Sequence, residues 1–144
     1  MILYLDSSAL VKLYIAEPGS DLVSASIAEA TATYTHLIAY VEVRAAFAKA
    51  LRVGLETAEG LVGHKREFET TWQQLDVVLP DETTVRRAGD LAEQFGLRGY
   101  DSVHLSAAES IWRQTDPGAD FRFCAFDRAL TDAARSIGLS EIAG

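Results

Sequence analysis

The chain opens with a short apolar run that ends at a carboxylate, and the same arrangement recurs near its other end. Ile2 to Leu5 shows no polar alternation, which is typical of a central parallel strand buried on both faces, and Asp6 follows at once. Residues 121–126 form a second, largely apolar run, which is followed by Asp127. Because the functional crevice of an open parallel sheet lies outside the carboxyl ends of its strands, both acids are expected there.

The pattern between these runs predicts an α/β sandwich that forms a single domain over residues 1–144. The predicted strands cover residues 2–5, 31–35, 77–79, 121–125 and 140–143. The predicted helices, with their capping residues, cover residues 7–14, 20–29, 37–53, 56–75, 81–95, 100–114 and 127–137. We expect the helices at 37–53 and 56–75 to form a helical hairpin against the sheet.

Two further acids, Glu42 and Asp101, fall in the opening turns of predicted helices. Glu42 is the more telling of the two because its helical neighbours Ile38, Ala45 and Ala46 belong to an apolar face. A carboxylate on such a face needs a partner or a metal ion to offset the cost of burial.

Each acid also has an ordinary structural explanation. Asp6 and Asp127 are suited to cap the helices that follow them, and Asp101 in a first helical turn interacts favourably with the helix dipole. The group as a whole favours function, since small hydroxyls stand beside Asp6 at Ser7 and Ser8. Such a hydroxyl can hold a water or orient a carboxylate.

Carboxylate oxygens are the ligands that Mg²⁺ and Mn²⁺ prefer, so the four acids predict a metal-dependent phosphodiesterase, and more narrowly a nuclease. Crowding of like charges also predicts that at least one of these acids has a raised pKa when no metal is bound. The histidines are poor zinc ligands, because His36, His64 and His104 have no ligand-like spacing. A contact of His104 with Asp101 is the weaker alternative to a hydrogen-bonded core histidine.

The net charge of −8 at pH 7 has the wrong sign for a general nucleic-acid coat protein, but a bound divalent ion can reverse the local field. The free chain is therefore expected to bind RNA weakly and to leave acidic surface for a basic partner. The residues that bind RNA stay unassigned. The candidates for an RNA groove are Arg44, Lys49, Arg52, Arg86, Arg87 and Arg98.

Two features bear on location. No apolar stretch is long enough to cross a membrane, and the start of the chain lacks the basic region of a signal peptide. The single cysteine, Cys124, cannot form an internal disulfide and lies in a predicted buried strand. These features predict a cytoplasmic protein with no membrane partner.

Three segments carry a resemblance to the PIN-domain family, and within it to the VapC toxins of toxin–antitoxin pairs. They are residues 5–12 (LDSSALVK), 97–108 (LRGYDSVHLSAA) and 126–130 (FDRAL). Glu42 falls where the family carries its second acid, and the element order fits over essentially the whole chain. One departure is Ala125, two residues before the last acid, where many members have Ser or Thr.

The resemblance implies a sheet of strand order 3-2-1-4-5, a homodimer, Mg²⁺ or Mn²⁺, and endonucleolytic cleavage of RNA. It also implies a small antitoxin in the active-site groove, and promoter DNA bound only through the antitoxin complex. We expect the antitoxin to insert a cationic side chain among the acids. Asp6 and Asp101 are then the expected metal ligands, and Ser8 supports Asp6. Glu42 either binds the metal through a water or positions the attacking water, and Asp127 completes this site or a weaker second metal site.

Two rival hypotheses stay open at this point. One is a metal-dependent phosphatase or phospho-receiver on a related sheet, although Ser8 stands where an Asp-x-Asp site would have its second acid. The other is a non-catalytic PIN-like binding module. Unused buried carboxylates are costly, which counts against this second alternative.

Overall fold

The fold is built on one parallel sheet. A computed structural model of the protein describes residues 1–142. The strands are β1 (Ile2–Leu5), β2 (Ala32–His36), β3 (Asp76–Val78), β4 (Phe121–Cys124) and β5 (Ser140–Glu141). They form a five-stranded sheet in the order β3-β2-β1-β4-β5, with every pairing parallel, so the predicted strand order is confirmed.

Helices cover both faces of this sheet. They are α1 (Ser7–Val11), α2 (Ser20–Glu29), α3 (Ala39–Arg52), α4 (Ala58–Trp72), α5 (Glu82–Phe95), α6 (Gly99–Gln114) and α7 (Arg128–Ser136). Successive residues of the central strand β1 point to opposite faces: Leu3 and Leu5 pack into one core, and Tyr4 packs into the other. The predicted α/β/α sandwich is confirmed, and burial on both faces explains why β1 is uniformly apolar.

Each core belongs to its own set of helices. Leu3 and Leu5 pack with residues of α1 to α4, among them Phe47 and Phe68. Tyr4 packs with residues of α5 to α7, among them Leu105. Because both layers contact β1, side chains from α3 and α6 can meet at its carboxyl end.

The predicted elements are all present, and their ends differ by a few residues. The first helix ends at Val11 instead of residue 14, because the next amides bond three residues back, as in Leu13 N–H to the Leu10 carbonyl. The fourth begins at Ala58 instead of residue 56, because the Thr57 hydroxyl caps it.

The predicted fifth strand is present as Ser140–Glu141, and its predicted end at Ala143 lies outside the described residues. The prediction of a single domain over residues 1–144 stays a prediction. Within residues 1–142, no helix has the length and apolar character needed to cross a membrane.

Candidate active site

All four predicted acids line one cleft at the carboxyl end of β1. The cleft has a volume of about 550 Å³, and its lining residues are Asp6, Ser7, Ser8, Val11, Glu42, Ala46, Arg98, Gly99, Tyr100, Asp101 and Asp127. The structure therefore brings together side chains that are up to 121 residues apart in the sequence. Their assignment as catalytic residues stays a prediction, while their proximity is a structural fact.

Asp6 is fixed at the end of β1 by three hydrogen bonds. Its backbone N–H donates to the Cys124 carbonyl at 3.1 Å, which continues the β1–β4 pairing by one step. Its Oδ1 accepts from the Ala9 N–H at 2.9 Å and from the Ser8 hydroxyl at 2.7 Å. Asp6 thus caps α1 through Oδ1, and none of the described residues donates a hydrogen bond to its Oδ2.

Ser8 links Asp6 to the loop that carries the last acid. Its hydroxyl oxygen donates to Asp6 and accepts from the Phe126 N–H at 3.3 Å. The hydroxyl therefore both donates and accepts, and it holds the loop before Asp127 close to Asp6. This is the kind of support predicted for Ser8, and its contribution to activity stays a prediction.

Burial raises the pKa of Asp6 to about 6. The hydrogen bonds from Ser8 and Ala9 act in the opposite direction, and the charge of Asp101 adds a smaller increase. The prediction of a raised carboxyl pKa is confirmed. Its main cause is burial, since Asp6 is only 2% exposed, and crowding with other acids is secondary.

Glu42 has a buried partner that the sequence did not identify. His104 lies on α6, is fully buried, and places Nε2 2.7 Å from Glu42 Oε1 and Nδ1 3.0 Å from the Tyr4 hydroxyl. Burial raises the pKa of Tyr4, so the hydroxyl stays protonated and donates to Nδ1. We assign the His104 proton to Nε2, where it is donated to Glu42 and fixes the orientation of that carboxylate.

Arg98 joins the two remaining acids. Its Nε lies 3.0 Å from Asp101 Oδ2, and its Nη2 lies 3.7 Å from Asp127 Oδ2. Asp127 caps α7 as Asp6 caps α1, by accepting the Leu130 N–H through Oδ1 at 3.0 Å. The capping explanation of Asp6 and Asp127 is therefore correct, but it uses only one oxygen of each.

The four carboxylates suit a metal ion in their chemistry, but in this structure they do not converge on one point. Carboxylate oxygens alone suit a hard divalent cation. Among residues 1–142, however, no three His, Cys, Asp or Glu side chains converge closely enough to hold an ion as they stand. Asp101 already contacts Arg98 through Oδ2, so Arg98 and a metal ion would both draw on this carboxylate.

Tyr4 and His104, which no sequence pattern placed at the cleft, are linked to their partners across long separations in the chain. Tyr4 and His104 are 100 residues apart, and Glu42 and His104 are 62 apart, so no local pattern connects them. The alternative of a contact between His104 and Asp101 is not needed, because both ring nitrogens of His104 have other partners. Arg98 had a local signal: it stands three residues before Asp101, across a helix start.

Of the six cations considered for an RNA groove, Arg98 lines the cleft. Arg87 pairs instead with the buried carboxylate of Glu109 at 2.8 Å, and Arg86 pairs with Glu82 on the surface. Arg44 donates to the Tyr40 hydroxyl.

Comparison with known proteins defines the class to which this fold and cleft belong. The model of the PIN domain matches residues 3–112, and the chain belongs to the PIN domain family. A protein named Ribonuclease VapC45, from Mycobacterium tuberculosis (strain CDC 1551 / Oshkosh), is 37% identical over 137 residues. That match covers 95% of this chain and 92% of the relative.

Solved structures agree on the fold. FitAcB from Neisseria gonorrhoeae matches with a TM-score of 0.67 and 17% identity over 99% of this chain and 97% of its own. VapC20 of Mycobacterium tuberculosis, a toxin that cleaves the sarcin-ricin loop, matches with a TM-score of 0.67 and 12% identity over 99% of both chains. VapBC2 from Rickettsia felis, bound to a promoter DNA fragment, gives 0.55 and 13% over 87% of this chain and all of its own.

Proposed function

We propose that this protein is a metal-dependent endoribonuclease and the toxin of a VapBC-type toxin–antitoxin pair. The observation that carries the proposal is the meeting of Asp6, Glu42, Asp101 and Asp127 in one cleft of a PIN-domain chain. The 37% identity to a protein named as a ribonuclease supports the choice of RNA as substrate.

Asp6 and Asp101 are the residues that would hold Mg²⁺ or Mn²⁺. Asp6 offers Oδ2, because Ser8 and Ala9 already engage its Oδ1. The chemistry supplied by such a bound ion is Lewis acidity, which lowers the pKa of water and offsets charge on the phosphorane. Asp101 would bind such an ion in competition with Arg98, which contacts its Oδ2.

Glu42 has the geometry of a residue that orients the attacking water. His104 holds one of its oxygens at 2.7 Å, and the carboxylate is 19% exposed at the cleft, so it can accept a proton or a hydrogen bond from a water there. Asp127 contributes a more exposed carboxylate at the rim of the cleft, fixed by its capping bond to the Leu130 N–H. No protein nucleophile is required for this reaction.

Cleavage of a labelled single-stranded RNA tests the function. We expect cleavage with Mn²⁺ or Mg²⁺, loss of cleavage with EDTA, and loss in Asp6→Asn and Asp101→Asn with the fold intact by circular dichroism. Asp116→Asn, which removes a carboxylate from an exposed turn outside the cleft, is the matched control and should stay active.

Other outcomes would identify the rival functions. Hydrolysis of p-nitrophenyl phosphate without RNA cleavage would favour the phosphatase. Metal binding without either reaction would favour the binding module. Full activity in Asp6→Asn or Asp101→Asn would refute the site assignment.

We propose further that an antitoxin inhibits the enzyme by placing an arginine or lysine among the four acids. Arginine is favoured because its planar guanidinium can bond a carboxylate through two nitrogens. Apolar antitoxin residues would dock on the exposed side chains of the α3–α4 hairpin, which are Leu37, Val41, Leu51, Val53, Leu55 and Val62. The proposal also includes a homodimer and a cytoplasmic location. Promoter DNA would be bound only by the complex with the antitoxin.

A further inference from the structure

Arg98 is the cation of the acid cleft. It lies between α5 and α6, and its side chain is 78% exposed although its guanidinium contacts Asp101 and approaches Asp127. The Asp101 side chain is 15% exposed, so this ion pair is open to solvent mainly on the Arg98 side. Because ion pairs screened by solvent contribute only about 0–1 kcal/mol, Arg98 can leave Asp101 without a large loss of stability.

The nearby cations Lys12 and Arg128 form ion pairs with acids that do not line the cleft. Lys12 is 9% exposed, pairs with Glu17 at 3.1 Å and lies over the Phe126 ring at 4.3 Å. Arg128, which follows Asp127 in the chain, is 96% exposed and faces Asp132 at 3.9 Å. Arg98 therefore differs from both, because its partners are two of the acids in the cleft.

Arg98 and a divalent ion would compete for Asp101. A guanidinium and a doubly charged ion on the same carboxylate repel each other, so the ion that binds Asp101 drives Arg98 outward. The displaced side chain then stands at the rim of the cleft with its full set of N–H donors unused. A phosphate of an RNA strand entering the cleft is the ligand that suits this planar donor group.

We propose that Arg98 has two positions: it offsets the charge of Asp101 and Asp127 in the metal-free protein, and it contacts an RNA phosphate once a divalent ion has displaced it. This inference rests on the proposed metal-dependent ribonuclease function and assigns to that site a residue that binds the substrate.

Calorimetric titration with Mn²⁺ in the absence of RNA tests the first position. Arg98→Ala should bind Mn²⁺ more tightly than wild type, by about fivefold, since the variant lacks the partly exposed ion pair with Asp101 that the metal has to break. Arg98→Lys, which keeps the charge, should fall between the two. Arg128→Ala is the matched control, and its affinity for Mn²⁺ should equal that of wild type.

Steady-state cleavage of RNA at saturating Mn²⁺ tests the second position. Arg98→Ala should raise KM by about tenfold, as expected for loss of one charge-assisted hydrogen bond, with a smaller change in kcat. The variant should thus bind metal better and RNA worse, a combination that simple misfolding does not produce. Circular dichroism and melting temperature should match those of wild type.

The outcomes separate this inference from the function on which it rests. If wild type neither binds Mn²⁺ nor cleaves RNA, the metal-dependent function and this inference both fail. If wild type does both, and Arg98→Ala has an unchanged affinity for Mn²⁺ or an unchanged KM, the role of Arg98 is overturned while the nuclease function stands.

Discussion

The two oxygens of Asp6 have different surroundings. Oδ1 receives the Ser8 hydroxyl and the Ala9 N–H, which fixes the start of α1, whereas Oδ2 has no donor among the described residues. Burying a carboxylate in this way disfavours its charged form, and the raised pKa is the consequence. The buried carboxylate of Asp6 therefore lowers the stability of the folded protein, and a bound cation can restore that stability.

The pH dependence of stability follows from that raised pKa. The carboxyl of Asp6 has a pKa of 3.8 in the unfolded chain and about 6 in the folded protein, so the native state holds its proton more tightly. The contribution of this proton to the free energy of unfolding is therefore present in full below pH 3.8. This stabilising contribution is lost as the pH rises from 3.8 to about 6. The free energy of unfolding falls by roughly 3 kcal/mol, because each pKa unit corresponds to about 1.36 kcal/mol. In EDTA, Asp6→Asn should therefore lose less stability than wild type over this range and be more stable at pH 7.

Urea unfolding at several pH values between 4 and 7 measures this difference. Asn is suited to the variant because it caps helices about as well as Asp. Asp116→Asn should follow the wild-type curve, since its carboxylate is exposed in a turn. Parallel curves for wild type and Asp6→Asn would show that Asp6 is not the group responsible.

Removal of the Tyr4 hydroxyl tests the hydrogen bonds that orient Glu42. Tyr4→Phe leaves the buried Nδ1 of His104 without its donor, which should cost about 1–3 kcal/mol in urea unfolding. Nitrogen NMR should also show a changed distribution of the His104 proton between Nδ1 and Nε2. Tyr34→Phe is the control, since no hydrogen bond to the Tyr34 hydroxyl occurs within residues 1–142 and the ring packs against the same core. Equal behaviour of the two variants would contradict the assignment.

For single residues, the sequence predicted the acids of the cleft but not all of the side chains that form hydrogen bonds with them. Asp6 and Asp127 follow apolar runs, so their place at the strand ends is a local property of the chain. That Glu42 needs a partner was also visible, but His104 comes from a different layer of the fold. Such a pairing is fixed only when α3 and α6 both pack beside β1.

The secondary-structure elements were more accessible to prediction than their ends. Strands β1 to β4 each contain a short apolar or β-branched run, and each long helix has an apolar stripe, so both signals are local. The ends depend on single side chains, as where Thr57 delays the start of α4, or on a switch in hydrogen bonding after Val11. These choices are decided by small energies that a pattern of apolar residues does not contain.

Gly19 shows how a turn far from the acids can reach the cleft. It has a φ of +98°, and a Cβ added there would lie 2.5 Å from the Phe126 ring, which is next to Asp127. Gly19→Ala should therefore combine the cost of a left-handed alanine, about 1–2 kcal/mol, with displacement of that ring. We expect a loss of stability together with a reduced rate of RNA cleavage.

Gly118→Ala separates the two effects. Gly118 has a φ of +91° but no atom within 4 Å of an added Cβ, so its substitution should cost only the backbone term and leave cleavage unchanged. Thermal unfolding and cleavage rates of both variants make the comparison. If the two variants lose equal stability and keep equal activity, the contact of Gly19 with Phe126 has no influence on the cleft.

The molecule as a whole presents an acidic cleft beside an exposed apolar hairpin. Its net charge of −8 opposes the approach of RNA and favours the approach of a basic partner. The side chains of Val41, Leu55 and Val62 on or beside α3 and α4 are 54–73% exposed, so an amphipathic segment can cover them while a cation reaches the acids. The preference for a basic partner could be predicted from the net charge, whereas the position of the hairpin beside the cleft depends on the fold.

Competition between such a partner and the metal is the expected result. An antitoxin segment with one arginine in the cleft should inhibit RNA cleavage less as Mn²⁺ is raised, because both cations need Asp6 and Asp101. The same segment with alanine in place of that arginine should inhibit more weakly and lose its dependence on Mn²⁺. Inhibition constants measured across a Mn²⁺ series, with both segments, give the result directly. If the arginine segment inhibits equally at every Mn²⁺ concentration, its cation does not enter the acid cleft, and the partner acts through the apolar hairpin or another surface.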